Sequence, residues 1–98
     1  MKRDFALEYK VLEALIESPE QWSTLEKLQR ESGKSYYEVW FALLCLQDIN
    51  CVELSQAVPG SKRWRITAAG FDRHAAVEEY RKSVIAELTE QRDALLNS

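Results

Sequence analysis

The sequence predicts a mostly helical α+β domain: three helices, a two-stranded β-hairpin and a long C-terminal helix. Three observations lead there. Apolar residues recur at helical spacing near both ends of the chain, two helix-start signals follow one another closely around Gly33, and two alternating segments flank a Pro-Gly pair. The 98 residues, 46% hydrophobic and 30% charged, suit one globular domain rather than a disordered chain. A core of that size is marginal alone, because small domains bury a smaller fraction of their surface, and this favours dimerisation.

The first helix is predicted over residues 4–18. Phe5, Val11, Leu12, Leu15 and Ile16 form its apolar stripe, with Glu8, Lys10, Glu13 and Glu17 between them. Asp4 is placed to cap it, and Pro19 ends it, because proline lacks the N–H and disfavours a helical residue before it. Two capping-box patterns follow. Ser23-Thr24-Leu25-Glu26 and Ser35-Tyr36-Tyr37-Glu38 each put serine at the cap and glutamate three residues on, so that side chain and backbone can satisfy one another's amides. Gly33 between them suits a left-handed helix end. Helices at about 24–32 and 36–49, joined by a tight turn at Gly33-Lys34, make a helix-turn-helix pattern.

Asn50 stands where a left-handed residue should end the second of these helices. Val52 to Gln56 alternates as a strand, Ala57-Val58-Pro59-Gly60-Ser61 has turn chemistry, and Lys62 to Thr67 alternates again. Trp64 and Ile66 then share a buried face, with Arg63 and Arg65 on the other. Thr67 caps a final helix over about 68–95. The domain boundaries expected are 1–70 for the compact unit and 71–98 for the C-terminal helix, with no linker, internal repeat or low-complexity tract.

The order of these elements, together with Arg63-Trp64-Arg65-Ile66-Thr67-Ala68-Ala69-Gly70, resembles the winged helix-turn-helix regulators of the MarR and PadR type. In those proteins the second wing strand commonly ends in an aromatic-x-aliphatic-Thr-x-x-Gly pattern entering a helix; Trp64, Ile66, Thr67 and Gly70 match it here. Leu46 to Val52 resembles the segment joining recognition helix to wing, with Asn50 where glycine is usual. The resemblance covers residues 6–72. It implies a winged-helix fold with Val39, Ala42, Leu43 and Leu46 buried, and by analogy DNA binding.

On that resemblance helix 36–49 lies in the major groove of double-stranded DNA with its N-terminal residues toward the bases. The expected DNA-binding residues are Lys34, Ser35, Tyr36 and Tyr37 at its leading end, and Lys62, Arg63 and Arg65 on the wing, which can hold phosphates or enter the minor groove. Lys27 and Arg30 lie a turn apart on the preceding helix. Against this, the basic residues can be solvated charges paired with Glu26, Glu31 and Glu38. The helix also carries Trp40, Phe41 and Leu44 outward, a poor set for a hydrogen-bonding code. Partial burial of those three, by the C-terminal helix or a second subunit, is the expectation, with Tyr36 and Tyr37 at the exposed end. The other reading is a protein-binding patch of Tyr37, Trp40, Phe41 and Leu44.

In the last helix Val77, Tyr80, Val84, Leu88, Gln91 and Leu95 form a stripe longer than the domain needs, and it predicts a homodimer through Val77, Tyr80, Val84, Leu88 and Leu95, by analogy with PadR-like C-terminal helices. The alternative is that the helix folds back over the first helix of its own chain. The formal charge is −3, of which −2 falls in residues 71–98, so the acidity counts only mildly against nucleic-acid binding.

Other functions lack a foothold. The chain has no Gly-rich phosphate loop and no nucleophile elbow, which argues against an enzyme or a cofactor. Cys45 and Cys51 form no CxxC pair, and His74 is the single histidine, so no metal site is expected and both cysteines read as small apolar residues. His74 itself reads as an ordinary helix residue. Met1-Lys2-Arg3-Asp4 leads into an amphipathic pattern rather than a signal core, and no apolar run reaches membrane length, so a cytoplasmic protein is expected.

Overall fold

A computed structural model describes residues 2–58 and 61–97. Helix α1 runs Phe5–Glu17, strand β1 Trp22–Ser23, helices α2 and α3 Leu25–Ser32 and Tyr36–Asp48, strands β2 and β3 Val52–Val58 and Ser61–Ile66, and helix α4 Ala68–Leu96. Pro59 and Gly60, the centre of the expected turn, lie outside the described residues.

Each boundary has a local cause. Asp4 caps α1 by accepting from the Leu7 amide at 3.1 Å. Pro19 opens a single 3₁₀ turn, Pro19–Gln21, in which Glu20 and Gln21 are left-handed, with φ of 59° and 61°. Gly33 ends α2 at φ 69°, and Asn50 follows α3 at φ 60°, both as their residue types predict. At α3 the capping box is complete: the Glu38 amide donates to Ser35 Oγ at 3.2 Å while the Ser35 amide donates to the Glu38 carboxylate. The expected box at Ser23 does not form. Thr24 caps α2 instead, accepting from Lys27 N at 3.2 Å, because Ser23 is drawn into the sheet opposite Trp64 and is buried.

That pairing adds a third strand to the expected hairpin. The sheet has the order β1-β3-β2, antiparallel throughout, with Val52 opposite Ile66 and Leu54 opposite Trp64. A register shift falls between the Ser55–Arg63 and Val58–Ser61 pairs.

The core gathers one face of each element: Leu7, Val11, Leu12 and Leu15 of α1; Leu25 and Leu28 of α2; Val39, Ala42, Leu43 and Leu46 of α3; then Cys51, Val52, Trp64 and Ile66. Within α1 the stripe is rotated from the expected one. Phe5 is exposed, with the Arg3 guanidinium over its ring at 4.9 Å. Glu8, read as a surface residue, is only 2% exposed. It lies three, four and seven residues before Val11, Leu12 and Leu15 and so shares their face. Its carboxylate remains there because Arg3 donates three hydrogen bonds of 2.9–3.1 Å to it.

Thr67 explains the Thr-x-x-Gly pattern. Its hydroxyl donates to the Asn50 carbonyl at 2.6 Å and accepts from the Gly70 amide at 3.1 Å, while its own amide donates to the Cys51 carbonyl. One residue thus starts α4 and ties it to the end of α3. A side chain at Gly70 would run into the Cys51 carbonyl oxygen and lie 2.6 Å from Ile66 Cγ1. Beyond that point α4 leaves the core: Gly70 is its one buried residue among those described, and the molecule measures 65 × 26 × 23 Å. Among the described residues, no helix is long and apolar enough to cross a membrane.

Candidate nucleic-acid interface

The leading end of α3 is exposed. Tyr36 and Tyr37 occupy its first two positions, 46% and 67% exposed, with their rings edge to face at 5.6 Å. Ser35 lies at the same end, but its hydroxyl donates to Glu38 Oε1 at 2.9 Å as well as capping the helix. It acts first by setting where the helix starts. Lys34 is exposed and lines a shallow groove with Glu26, Gln29, Arg30 and Gly33. Lys27 is paired with Glu31 at 3.8 Å one turn on, as the solvated-charge alternative expects.

The inner face of α3 follows the winged-helix pattern, with Val39, Ala42, Leu43 and Leu46 buried. Its outer face shows the expected partial burial at Phe41 and Leu44 and less of it at Trp40. Phe41 and Leu44 are half-buried, and Leu44 packs on the core, but Trp40 stays 41% exposed. Within the chain α4 packs on α1.

On the sheet, Trp64 and Ile66 point inward, and Lys62 and Arg65 are exposed. Arg63 is half-buried because its guanidinium lies over the Trp22 ring, 4.1 Å from the centroid. Trp22 is itself held: its Nε1 donates to Glu20 Oε2 at 2.9 Å, from the left-handed Pro19–Gln21 turn. Glu20, Trp22, Ser55, Arg63 and Arg65 line one groove. Of the expected basic residues, Arg63 and Arg65 line this wing groove, and Arg30 and Lys34 line the separate groove at the helix-turn-helix. Trp22 was not legible as a site residue, because a two-residue strand is too short to show alternation.

The expected dimerisation residues share α4 but not one environment. Val77 and Val84 are half-buried, whereas Tyr80, Leu88 and Leu95 are exposed. Ile85 and Leu96, outside the expected stripe, are exposed as well. Both cysteines are free thiols; burial pushes the Cys51 thiol above its ordinary value.

No protein-family model matches the sequence, and no curated protein is significantly similar to it. Solved structures are. A double mutant of Lactococcus lactis ZitR in apo form superposes with a TM-score of 0.65 at 20% identity, over 90% of this chain and 66% of that one. Sco3205 of Streptomyces coelicolor, a MarR family transcriptional regulator in complex with DNA, superposes with a TM-score of 0.66 at 22% identity, over 92% of this chain and 61% of that one. The chain thus spans less than two thirds of the length of either protein. Its fold is a MarR-like winged helix with a long C-terminal helix.

Proposed function

We propose that this chain is a dimeric winged-helix protein that binds double-stranded DNA and acts as a transcriptional regulator. The observation that carries the reading is the wing: Arg63 is pre-positioned on Trp22 beside exposed Arg65 and Lys62, a cationic edge suited to phosphates. In this reading α3 enters the major groove with Tyr36 and Tyr37 foremost. Lys34 contacts the backbone at the helix start that Ser35 defines. Residues 1–70 form the DNA-reading unit and 71–98 the dimerisation element, pairing through Val77, Tyr80, Val84, Leu88 and Leu95. The DNA bound to Sco3205, which shares the fold, supports the partner class. A two-fold dimer then favours half-sites roughly 34–36 Å apart.

The test is binding to random-sequence duplex DNA across a salt series, with the mass in solution recorded alongside. Salt-sensitive binding by a dimer is expected. Replacing Arg63 and Arg65 by alanine should weaken binding to all sequences alike and flatten the slope of log affinity against log salt by about 3.6, roughly 0.9 for each of the phosphate contacts that both protomers lose. Absence of binding at low salt removes the proposal.

The exposure of Trp40 and Tyr37 favours a second reading, a winged-helix interaction module that grips protein through Tyr37, Trp40, Phe41 and Leu44. Wild-type protein that ignores DNA at low salt, while Trp40→Ala loses retention of a protein partner, would put this reading first.

A further inference from the structure

We infer that Glu13 of α1 with His74 and Glu78 of α4 forms a binding site for a divalent transition-metal ion of the zinc type. Among the described residues, two buried side-chain polar atoms lack a hydrogen-bond partner: the Tyr9 hydroxyl and His74 Nε2. An unpartnered buried nitrogen is unfavourable unless something else uses its lone pair. Nε2 faces Glu13 Oε1 at 4.0 Å, too far for a hydrogen bond. Glu78 follows His74 by four residues, so both project from one face of α4. One ligand atom from each of the three residues lies within 4.8 Å of the others.

These separations suit atoms that share an ion rather than a proton. Zinc–ligand bonds of about 2.0–2.2 Å place tetrahedral neighbours roughly 3.3 Å apart. The remaining closure falls on the carboxylates; the Glu13 side chain is 44% exposed, which leaves it room to adjust. The imidazole needs no such adjustment. Tyr9 stacks on it with centroids 4.8 Å apart and planes 6° from parallel, fixing the ring as a second hydrogen bond does in other metal sites.

The ligand chemistry selects the class of ion. Two carboxylates neutralise a 2+ charge, and the imidazole favours zinc and its transition-metal neighbours over calcium or magnesium, which take oxygen. Three protein ligands leave a fourth position for water. Because the ligands come from two helices, the bound ion pins the base of α4 to α1 and raises the stability of the folded chain by mass action. The site stands apart from the wing and independently of the DNA reading.

His74 is the single histidine, so its ring protons report on the site without ambiguity. The full chain is titrated with zinc at neutral pH, without DNA, and followed by proton NMR. The ring resonances should shift and saturate at one zinc per chain. In Glu13→Gln/Glu78→Gln the affinity should fall by more than about 100-fold, beyond the roughly 10–100-fold loss typical of removing an outer-sphere partner. Ring resonances unmoved by excess zinc overturn the site, as does an equal affinity in the double variant. Uptake at Cys45 alone would leave the ring unmoved and count against it too.

Discussion

Arg3 and Glu8 show what a single residue can require of its neighbours. A carboxylate 2% exposed within the α1 stripe is satisfied by the hydrogen bonds from Arg3, whose guanidinium those bonds in turn hold above its ordinary pKa. Arg3→Ala leaves that charge without a partner and should destabilise the fold by about 1.5–3 kcal/mol, toward the lower end because the arginine is partly solvated. Replacing Glu8 by leucine in the same variant should recover most of the loss. Urea unfolding midpoints test both, and a neutral Arg3→Ala would show that Glu8 is satisfied in another way. Cys51 offers a second check. Burial raises its folded-state pKa, so the stability it contributes is intact below the ordinary thiol range and is lost as pH rises through the folded value. Half-buried Cys45 should accordingly be alkylated well before Cys51 in native protein, measured by mass spectrometry over time. Simultaneous labelling would mean that the α3–β2 junction opens readily.

Among the elements, the junction of β3 and α4 is the most constrained. Thr67 satisfies three groups at once, and Gly70 lets α4 approach the Cys51 carbonyl more closely than any Cβ permits. Gly70→Ala should therefore destabilise by about 1–3 kcal/mol through overpacking, although alanine is the better helix former. In a domain of this size each kcal/mol corresponds to a loss of about 4–8 °C in melting temperature. An unchanged or higher Tm would refute the close-approach account. Element order and the caps at Asp4, Ser35 and Thr67 were legible because they depend on residues three or four apart. The cap of α2 was not. Ser23 and Thr24 are both competent caps, and the choice rests on β3, which claims Ser23 from about 40 residues away in the chain.

For the molecule as a whole, α4 is the element on which the proposed dimer depends. It spans 29 residues, about 44 Å at the helical rise, yet packs on its own chain mainly near its start. Tyr80, Ile85, Leu88, Leu95 and Leu96 are all more than half exposed on it. If pairing through this helix forms the proposed dimer, Ile85→Glu with Leu88→Glu should halve the mass by light scattering while near-ultraviolet circular dichroism still reports a packed core. A dimer that survives both changes would place the interface elsewhere.

The sequence by itself determined the order of elements and the basic residues of the wing, because these depend on local periodicity, capping or alternation. Its resemblance to winged-helix regulators implied the fold class and the buried face of α3. Only the tertiary structure decided that Glu8 is buried, that Trp22 supports Arg63, that Trp40 stays open and that Glu13 meets His74 and Glu78. Each of these turns on which surfaces distant segments bring together. A residue's type and spacing leave that undetermined, since the same amphipathic helix satisfies its own pattern whichever neighbour covers it.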